Sequence, residues 1–553
     1  MRGVPPLPLK VDSMQETKRS SFRFEKVALY LPFMLIVIAI ALRFYNLDFR
    51  PFHHDESVHA HFSYLLFKQG IYGYDPKWHG PFLYYLTAAM YRLFGDTEWI
   101  SRLMPALFGV ALVALPFALK KQLGFKGCFI TAFLLAISPS FLYYSRFFRN
   151  DIYIAFFSLA AVVCVIHYIE KRKPFLLYLA SILFALALCT KENAYIISFI
   201  FFSFAVFYAL YTYKRSTAKA LMTILKLHWL PITISLSIIA IIYTSFYSFG
   251  FKNPQDSFAL FRAVSHWASY SAGPTGPFYF YAVLSSLYEL PILIFGIAGI
   301  LYFARKKDLL MIFMSYWAIS SFFIYSYIHE KAPWILLHLL LPLTFIAGKF
   351  VAEKLSLKRI ERKDVYKPVF TVFTIIILAF CVYTSVNLNY YHFDDPAEPM
   401  VQAAQPHRSF NEFVAKLNEV SAEHEGYETR IQVMDNAAVT QYLWHLRHHN
   451  RIEWNPGQRE LDAPIILISQ DKRNTTQNLT GYCQFNSSIM QWYNYPLAAS
   501  DCLSFASPDY LFFRQIDKGA VRELELSLQN LQREVAQSRI LDCQLADTPE
   551  VGL

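Results

Sequence analysis

Long apolar segments recur along most of this 553-residue chain. A helix needs about 20 apolar residues to cross the bilayer core, because each residue adds only ~1.5 Å to its length. The chain is 55% hydrophobic with a mean hydropathy of +0.29, and the segments predict a polytopic α-helical membrane protein with about eleven transmembrane helices. The predicted spans are 27–47, 99–119, 127–146, 152–170, 175–190, 194–213, 229–250, 280–304, 309–328, 335–353 and 369–388.

Lys and Arg residues occur in short clusters between alternate apolar segments. The net charge is +10 and the isoelectric point about 9.0, but this alternation is typical of the positive-inside pattern and not of nucleic-acid binding. It predicts a multi-pass protein of the plasma (cytoplasmic or inner) membrane. We expect a cytoplasmic basic tail at 1–26, a transmembrane domain at 27–390 and an extracytoplasmic domain at 391–553.

The long first outer loop, 48–98, opens with the polar run His53–His61 directly after the first span. An Asp, a Glu and four His beside a membrane are costly to retain without a role. If a helix begins near Asp55, then Asp55, His59 and Ser63 form one polar stripe at i, i+4 spacing. This pattern predicts an amphipathic helix lying along the membrane surface, and the alternative is a solvated loop whose charges have no role.

Three further loops on the same predicted face each place an acidic group near a basic one. Any single charged residue is most simply explained as the cap of a helix end. Four such loops together indicate a hydrated, charge-lined cavity. The residues in these three loops are Arg149 and Asp151, Lys191 and Glu192, and Glu330, Lys331 and Trp334.

The last 160 or so residues are polar with short apolar runs, which predicts a small α/β domain in solution. No glycine-rich phosphate loop follows any of its predicted strands. The predicted strands and helices are Ile431–Met434, Pro464–Ser469, Tyr510–Arg514, Ala438–His449 and Lys518–Ser538. Three cysteines in this region leave the disulfide pairing open, namely Cys483, Cys502 and Cys543.

The order of these motifs resembles the GT-C superfamily of integral-membrane glycosyltransferases, which includes protein O-mannosyltransferases, aminoarabinose transferases of lipid A and oligosaccharyltransferases. The shared features are His-Asp-Glu at 54–56, Arg-Asn-Asp at 149–151, Thr-Lys-Glu at 190–192, Glu-Lys-Ala-Pro-Trp at 330–334 and a C-terminal outer domain. A narrower resemblance joins the chain to the flippase-activity-associated proteins of archaeal-type N-glycosylation and their bacterial relatives. That resemblance depends on His53–Ala60, Tyr74–Pro81 and Phe94–Glu98.

The resemblance implies a transferase that uses a sugar carried on a polyprenyl phosphate at the outer face of the membrane. In such enzymes an acidic residue at the end of the first span activates the acceptor, and Asp55 matches that position. Oligosaccharyltransferases place two acidic groups in the second outer loop to hold a divalent metal. This chain offers only Asp151 there, beside Arg149, so the metal stays open, with Asp55 and Asp151 as possible ligands.

The residue types agree with this chemistry, because displacing a lipid phosphate requires a base for the acceptor and cations for the departing phosphate. Asp55 is the candidate base and Glu56 the next choice; adjacent helical residues point about 100° apart, so we do not expect both to serve one role. The candidate phosphate ligands are Arg149, Lys191 and Lys331.

The remaining predicted substrate-binding residues are aromatic, imidazole or charged side chains of the outer loops. His53, His54, His59 and His61 are open between metal ligation and hydrogen-bonded structure. Trp78, Trp99 and Trp334 are open between sugar stacking and an interfacial belt. The predicted substrate-binding residues are His54, His59, Lys77, Trp78, His79, Asp151, Glu192, Glu330 and Trp334.

The predicted partners are a polyprenyl-phosphate-linked sugar, the lipid bilayer and a glycan, lipid or protein acceptor, with no nucleic acid. The rival function is a non-catalytic accessory or transport protein for lipid-linked sugars. The enzyme is favoured because Asp55 and Glu56 lie at the membrane surface, whereas transporters usually place ionisable groups near the midplane.

Overall fold

The structure of the chain is a computed structural model. It describes most of the chain up to residue 356 and parts of the remainder. The described residues are 30–269, 276–328, 331–356, 366–395, 398–401, 405–435, 439–456, 461–469, 472, 479, 482–488 and 508–514.

Sixteen helices account for most of the described residues before residue 390. They are α1 (Tyr30–Phe44), α2 (His54–Gln69), α3 (Phe82–Phe94), α4 (Glu98–Ala114), α5 (Lys120–Ile137), α6 (Pro139–Ser145), α7 (Asp151–Lys171), α8 (Pro174–Leu188), α9 (Asn193–Tyr213), α10 (Thr217–Tyr247), α11 (Ala259–Ser269), α12 (Phe280–Tyr288), α13 (Leu290–Lys306), α14 (Leu309–Tyr327), α15 (Leu336–Ser356) and α16 (Tyr366–Val386).

By length and composition, six helical segments of the described residues are candidate membrane spans, or seven if α12 and α13, bent by 115°, form one. This confirms a multi-pass membrane protein. Two of the segments, Glu98–Ile137 and Asn193–Tyr247, are 40 and 55 residues long, about twice what one crossing needs. The predicted total of eleven requires both to cross twice, α12 and α13 to form one span, and the shorter apolar helices α1 and α8 to cross as well. That number therefore stays a prediction.

Helix α15 lies at the centre of the bundle. It packs against α5, α13 and α14, and the apolar window of its span is completely buried. At Gly348 an added Cβ would lie 2.1 Å from the Thr131 hydroxyl oxygen, so glycine permits the close approach of α15 and α5. Side chains near the start of α15 therefore project from a firmly packed element.

Helix α2 begins at a capping box in which the His53 ring accepts from the Asp55 N–H and Glu56 accepts from the His53 N–H. It ends at Gly70, whose φ of 66° is left-handed. Phe62 packs against Trp78 of the turn Pro76–Trp78. Helix α2 packs between α3 and a helix of the C-terminal region, and His59 and Ser63 of the predicted polar stripe are buried. The predicted position of α2 along the membrane surface stays a prediction.

The C-terminal region contains two described helices, α17 (Phe410–Glu423) and α18 (Val439–His445), and a mixed five-stranded sheet of order β2-β1-β3-β5-β4. Strand β1 pairs in parallel with β2 and β3, and β5 pairs antiparallel with β3 and β4. The three predicted strands and the first predicted helix are confirmed. The strands are β1 (Ile431–Met434), β2 (Ile452–Trp454), β3 (Ile465–Ser469), β4 (Tyr482–Ser488) and β5 (Pro508–Arg514). Residues 518–538, Cys502 and Cys543 lie outside the described residues.

Candidate functional site

The carboxylate of Asp55, in the first turn of α2, forms an ion pair with the guanidinium of Arg149. Arg149 is 7% exposed and also lies 3.3 Å, Nε to Oδ2, from Asp151 at the start of α7. The Asp55 side chain keeps 24% exposure. Arg149 therefore joins two loops that the sequence predicted to share one face, and it leaves Asp55 open on one side.

Asp151 is almost completely enclosed, with 1% exposure. Its Oδ1 atom lies 3.2 Å from Nζ of Lys191 and 3.4 Å from Nε2 of His338 on α15. A buried carboxylate is strongly destabilising unless charge and hydrogen bonds offset its lost hydration. Arg149, Lys191 and His338 supply these contacts, so Asp151 holds three elements together beneath Asp55.

Asp55, Arg149, Asp151, Lys191 and His338 form one connected cluster. Trp334 packs against its two cations, Arg149 and Lys191. The Cζ atom of Arg149 lies 3.4 Å from the centroid of the Trp334 ring, and Nζ of Lys191 lies 5.5 Å from it. Trp334 is buried, and this ring face is covered by a guanidinium. The predicted stacking of a sugar on Trp334 therefore receives no support from the geometry.

Glu56 points away from Asp55 into the protein and is fully buried. Arg102 donates to it from Nε and Nη2 at 2.8 and 2.7 Å, and Arg50 donates at 3.1 Å. The backbone N–H groups of Phe148 and His53 complete the set. Although burial by itself raises the pKa of Glu56, the two guanidiniums hold that pKa at about 2. The geometry favours a structural role over the predicted second choice of base.

His54 and His59, two of the histidines considered as metal ligands, make hydrogen bonds within the protein. Nδ1 of His54 lies 2.8 Å from the Thr440 hydroxyl on α18, and Nδ1 of His59 lies 2.8 Å from the Tyr84 hydroxyl. Burial lowers the pKa of His54 to about 4 and the pKa of His59 to about 3, so both are neutral near pH 7. Of the two alternatives left open by the sequence, these contacts favour hydrogen-bonded structure.

His79 and Glu192 form a second pair beside the cluster. Nδ1 of His79 lies 2.8 Å from Oε2 of Glu192, the residue that follows Lys191. The His79 ring stacks on Trp267 of α11 at 5.8 Å between centroids, and its centroid lies 6.4 Å from that of His59. His79 has a φ of 67°, which is uncommon outside glycine and typical of positions held by their surroundings. The pair therefore extends the polar site along α2.

Lys331 does not join the cluster. Its ammonium donates to the carbonyl oxygens of Tyr325 and Ser326 at 3.2 and 2.9 Å, and to that of Ile328, so it caps the C-terminal end of α14. Burial lowers its pKa. With all three protons directed at backbone carbonyls, the predicted phosphate contact of Lys331 receives no support.

Three other predicted residues fall outside the cluster or outside the described residues. Lys77 is exposed in a turn capped by Asp75. Trp78 packs against Phe62 at 5.5 Å between ring centroids. Glu330 lies outside the described residues.

The donor set does not fit a divalent metal. No group of three His, Cys, Asp or Glu side chains among the described residues is placed to hold one. Asp55 and Asp151 share Arg149, and Asp151 also contacts Lys191, so cations already occupy the positions that a metal would take. We therefore assign no catalytic step to a metal.

Sequence reasoning missed Arg50, Arg102 and His338. His338 lies near the start of α15 in an otherwise apolar run, 336–348, and an ionisable residue in such a run is itself a signal of function. Arg102 lies inside the predicted span 99–119 and offers the same signal. The contacts of both depend on tertiary packing and are not visible in the local sequence.

The sequence predicted helix α18 but not its packing against α2. Trp444 of α18 packs against Phe52 and Tyr91, with centroid distances of 5.6 and 5.9 Å. Just beyond it, Nε of Arg447 donates to Asp96 at 2.8 Å. The C-terminal region therefore packs directly on the loop that carries Asp55.

Comparison with known proteins identifies the architecture. The family described as dolichyl-phosphate-mannose-protein mannosyltransferase matches residues 78–244. The crystal structure of ArnT from Cupriavidus metallidurans bound to undecaprenyl phosphate superposes with a TM-score of 0.53 at 15% identity, covering 87% of this chain and 97% of ArnT. The chain has the GT-C fold. This confirms the fold that the resemblance seen in the sequence implied.

Two further proteins are similar to this chain. The archaeal oligosaccharyltransferase AglB from Archaeoglobus fulgidus, in complex with an inhibitory peptide and a dolichol-phosphate, gives a TM-score of 0.53 at 15% identity, covering 81% of this chain and 70% of AglB. An uncharacterized protein of Aquifex aeolicus (strain VF5) is 24% identical over 362 residues, which is 64% of this chain and 70% of that protein. The narrower resemblance to flippase-activity-associated proteins stays a prediction.

Proposed function

We propose that the protein is a membrane glycosyltransferase that moves a sugar from a polyprenyl-phosphate donor to an acceptor at the outer face of the membrane. The observation that carries this proposal is the partly open Asp55 carboxylate paired with the buried Arg149, which shares Asp151 with a second buried cation, Lys191. The GT-C relatives support it, because ArnT is bound to undecaprenyl phosphate and AglB to a dolichol-phosphate. Nothing in the cluster favours the accessory or transport alternative.

The transfer step requires a base and a stabilised leaving group. Asp55 accepts the proton of the acceptor nucleophile, whose atom bonds to the anomeric carbon as the bond from that carbon to the phosphate oxygen breaks. Arg149 and Lys191 bind the departing lipid phosphate, where charge-assisted hydrogen bonds form as negative charge develops. His79 and Glu192 lie further along the same face and provide contacts for the donor or the acceptor.

We also propose the orientation predicted from loop charge. The N-terminus is cytoplasmic in the plasma (inner) membrane, the Asp55 cluster lies at the opposite face, and residues 391–553 form the extracytoplasmic domain. In support, the described ends that meet at the cluster are the starts of α2, α7 and α15 and the end of α8. In cysteine-accessibility labelling, probes at positions 306 and 330 should react from opposite sides, and reaction from one side would contradict this orientation.

The activity is tested with the purified full-length protein. Labelled sugar is supplied either as a polyprenyl phosphate or as a nucleotide conjugate, and turnover is expected only with the lipid form. Arg149→Ala and Lys191→Ala should raise the KM for the lipid donor by about tenfold or more, since each removes a charged hydrogen bond of ~1.5–3 kcal/mol. Lys68→Ala, which removes an exposed cation near the end of α2, is the control. Turnover with the nucleotide form alone would overturn the proposal, and turnover with neither would leave the transport alternative.

A further inference from the structure

One aromatic ring lies against both cations of the cluster. The guanidinium of Arg149 sits 3.4 Å from the Trp334 centroid, and the Lys191 ammonium sits 5.5 Å from it. Both distances are within the range at which a ring quadrupole attracts a cation, and tryptophan is the strongest natural ring for this interaction. Trp334 is 5% exposed, so little water screens the contact.

Stacking on a ring differs from an ion pair because it does not occupy the N–H groups of the guanidinium. An aromatic ring contacts the flat face of a guanidinium, whereas all five N–H bonds lie in the guanidinium plane and point outward. The contact therefore orients Arg149 without using an N–H group and without neutralising its charge. The carboxylates of Asp55 and Asp151 contact the guanidinium nitrogens instead.

Trp334 is mounted on a rigid part of the molecule. It follows Pro333 in a short 3-10 turn, Pro333–Ile335, that leads into the central helix α15. The N–H of Ala332 donates to the Tyr281 hydroxyl at 3.4 Å, and the N–H of Ile335 donates to the Ala332 carbonyl at 3.1 Å. A ring held in this way fixes the cations above it before a ligand arrives.

We infer that Trp334 is a positioning residue that holds Arg149 and Lys191 as a preorganised anion-binding pair for the phosphate of the lipid donor. The inference rests on the proposed function and deepens it. It replaces the sugar-stacking role that the sequence suggested for this tryptophan. Because Trp334 acts through the two cations, its effect depends on the phosphate of the ligand and not on the lipid chain.

The test compares two ligands that differ only in the phosphate group. Binding of undecaprenyl phosphate and of undecaprenol, its uncharged alcohol, is measured on the full-length protein in detergent. The wild type should prefer the phosphate. Trp334→Leu should reduce that preference about tenfold, whereas Trp334→Phe should keep it within about threefold. Trp317→Leu is the control. Trp317 is a fully buried tryptophan of α14 that packs against Phe313 of the same helix and Phe201 of α9.

The control separates positioning from packing. Trp317→Leu should lower the unfolding temperature and leave the ligand preference unchanged. A Trp334→Leu protein that keeps the wild-type preference overturns the inference, and so does a Trp334→Phe protein as impaired as Trp334→Leu. A wild type that does not distinguish the two ligands overturns the proposed function itself, which is a different result.

A second variant covers the case in which Trp334→Leu does not fold. Fluorinated tryptophans introduced at position 334 alone weaken the negative ring face while nearly preserving its shape. The phosphate preference should fall in steps with the number of fluorine atoms, and the unfolding temperature should stay constant. A preference that is independent of fluorination would overturn the inference, because a purely structural ring is insensitive to its quadrupole.

Discussion

The two sides of the first turn of α2 differ as much as any two regions of the molecule. On one side, Asp55 is partly exposed and pairs with Arg149. On the other side, Glu56 is fully buried between Arg50 and Arg102 and also accepts two backbone N–H groups. The two carboxylates are adjacent in the chain and both face arginine.

The difference shows that the number of donors around a carboxylate decides what it can do. Glu56 has a full set of charged and backbone donors, so no position is left for an incoming proton donor, and its pKa is held at about 2. Asp55 keeps an open side next to the cations. The buried Glu56 carboxylate fixes the backbone at the start of α2, and this fixed backbone holds the partly exposed Asp55 carboxylate in place.

Removing the charge of Glu56 should have the largest effect. Glu56→Gln leaves Arg50 and Arg102 buried without their counter-ion, and breaking such a network costs about 3–5 kcal/mol. We expect little folded protein, measured as loss of a monodisperse peak and of a cooperative unfolding transition. A Glu56→Gln protein with wild-type stability would show that the buried side of this comparison is wrong.

Removing the charge of Asp55 should affect activity and leave the fold intact. Asp55→Asn keeps the shape but does not accept a proton near neutral pH, so the rate of transfer should fall by ~10²–10⁴-fold. Stability should change by less than ~1 kcal/mol, because the ion pair is partly exposed. Asp48→Asn, an exposed carboxylate of the same loop, is the control and should retain full activity. Near-normal transfer by Asp55→Asn would remove Asp55 as the base.

The smallest effect should be a loss of stability in mild acid. Burial lowers the pKa values of His53, His54 and His59 to about 3, 4 and 3, from 6.5 when unfolded. At a pH between the folded and unfolded pKa values, these histidines bind more protons in the unfolded chain than in the folded protein. The stability of the folded protein should therefore decrease as the pH falls below about 6.5. Glu56 adds to this only below pH 4.5, since its stabilisation is complete above its unfolded pKa and is lost as the pH falls toward 2.

This pH dependence is measured as the unfolding temperature between pH 7.5 and pH 5. A fall of a few degrees is expected in the wild type, and a smaller fall in His54→Asn with His59→Asn. An unfolding temperature that is constant down to pH 5 would show that these histidines are not enclosed as described.

Local sequence was sufficient for the elements and for half of the site. The apolar segments, the start of α2 at His54 and three strands follow from periodicity and capping, which act over a few residues. The pairing of Asp55 with Arg149 was within reach, because loop charge placed both on one face. Because adjacent helical residues point about 100° apart, the sequence also indicated that Asp55 and Glu56 would contact different partners.

The rest depends on contacts between distant parts of the chain. Nothing near Lys331 in the sequence shows that its ammonium turns back to cap α14, or that Arg102 reaches across to Glu56. The sequence left Trp334 open between sugar stacking and an interfacial belt, whereas in the structure its ring packs against Arg149. These side-chain contacts depend on which residues the fold brings together from distant parts of the chain, and local sequence does not show that.

The cover that α18 forms over α2 has a consequence for the order of biosynthesis. His54 and Thr440 are 386 residues apart, and Asp96 and Arg447 are 351 apart. At ~5–20 residues per second, the ribosome adds that length in on the order of 20–80 s. During this interval the Asp55 loop is already made while Trp444, which packs on Phe52, does not yet exist. The Asp55 loop of a nascent chain therefore gains its α18 contacts late, although the loop itself is synthesised early.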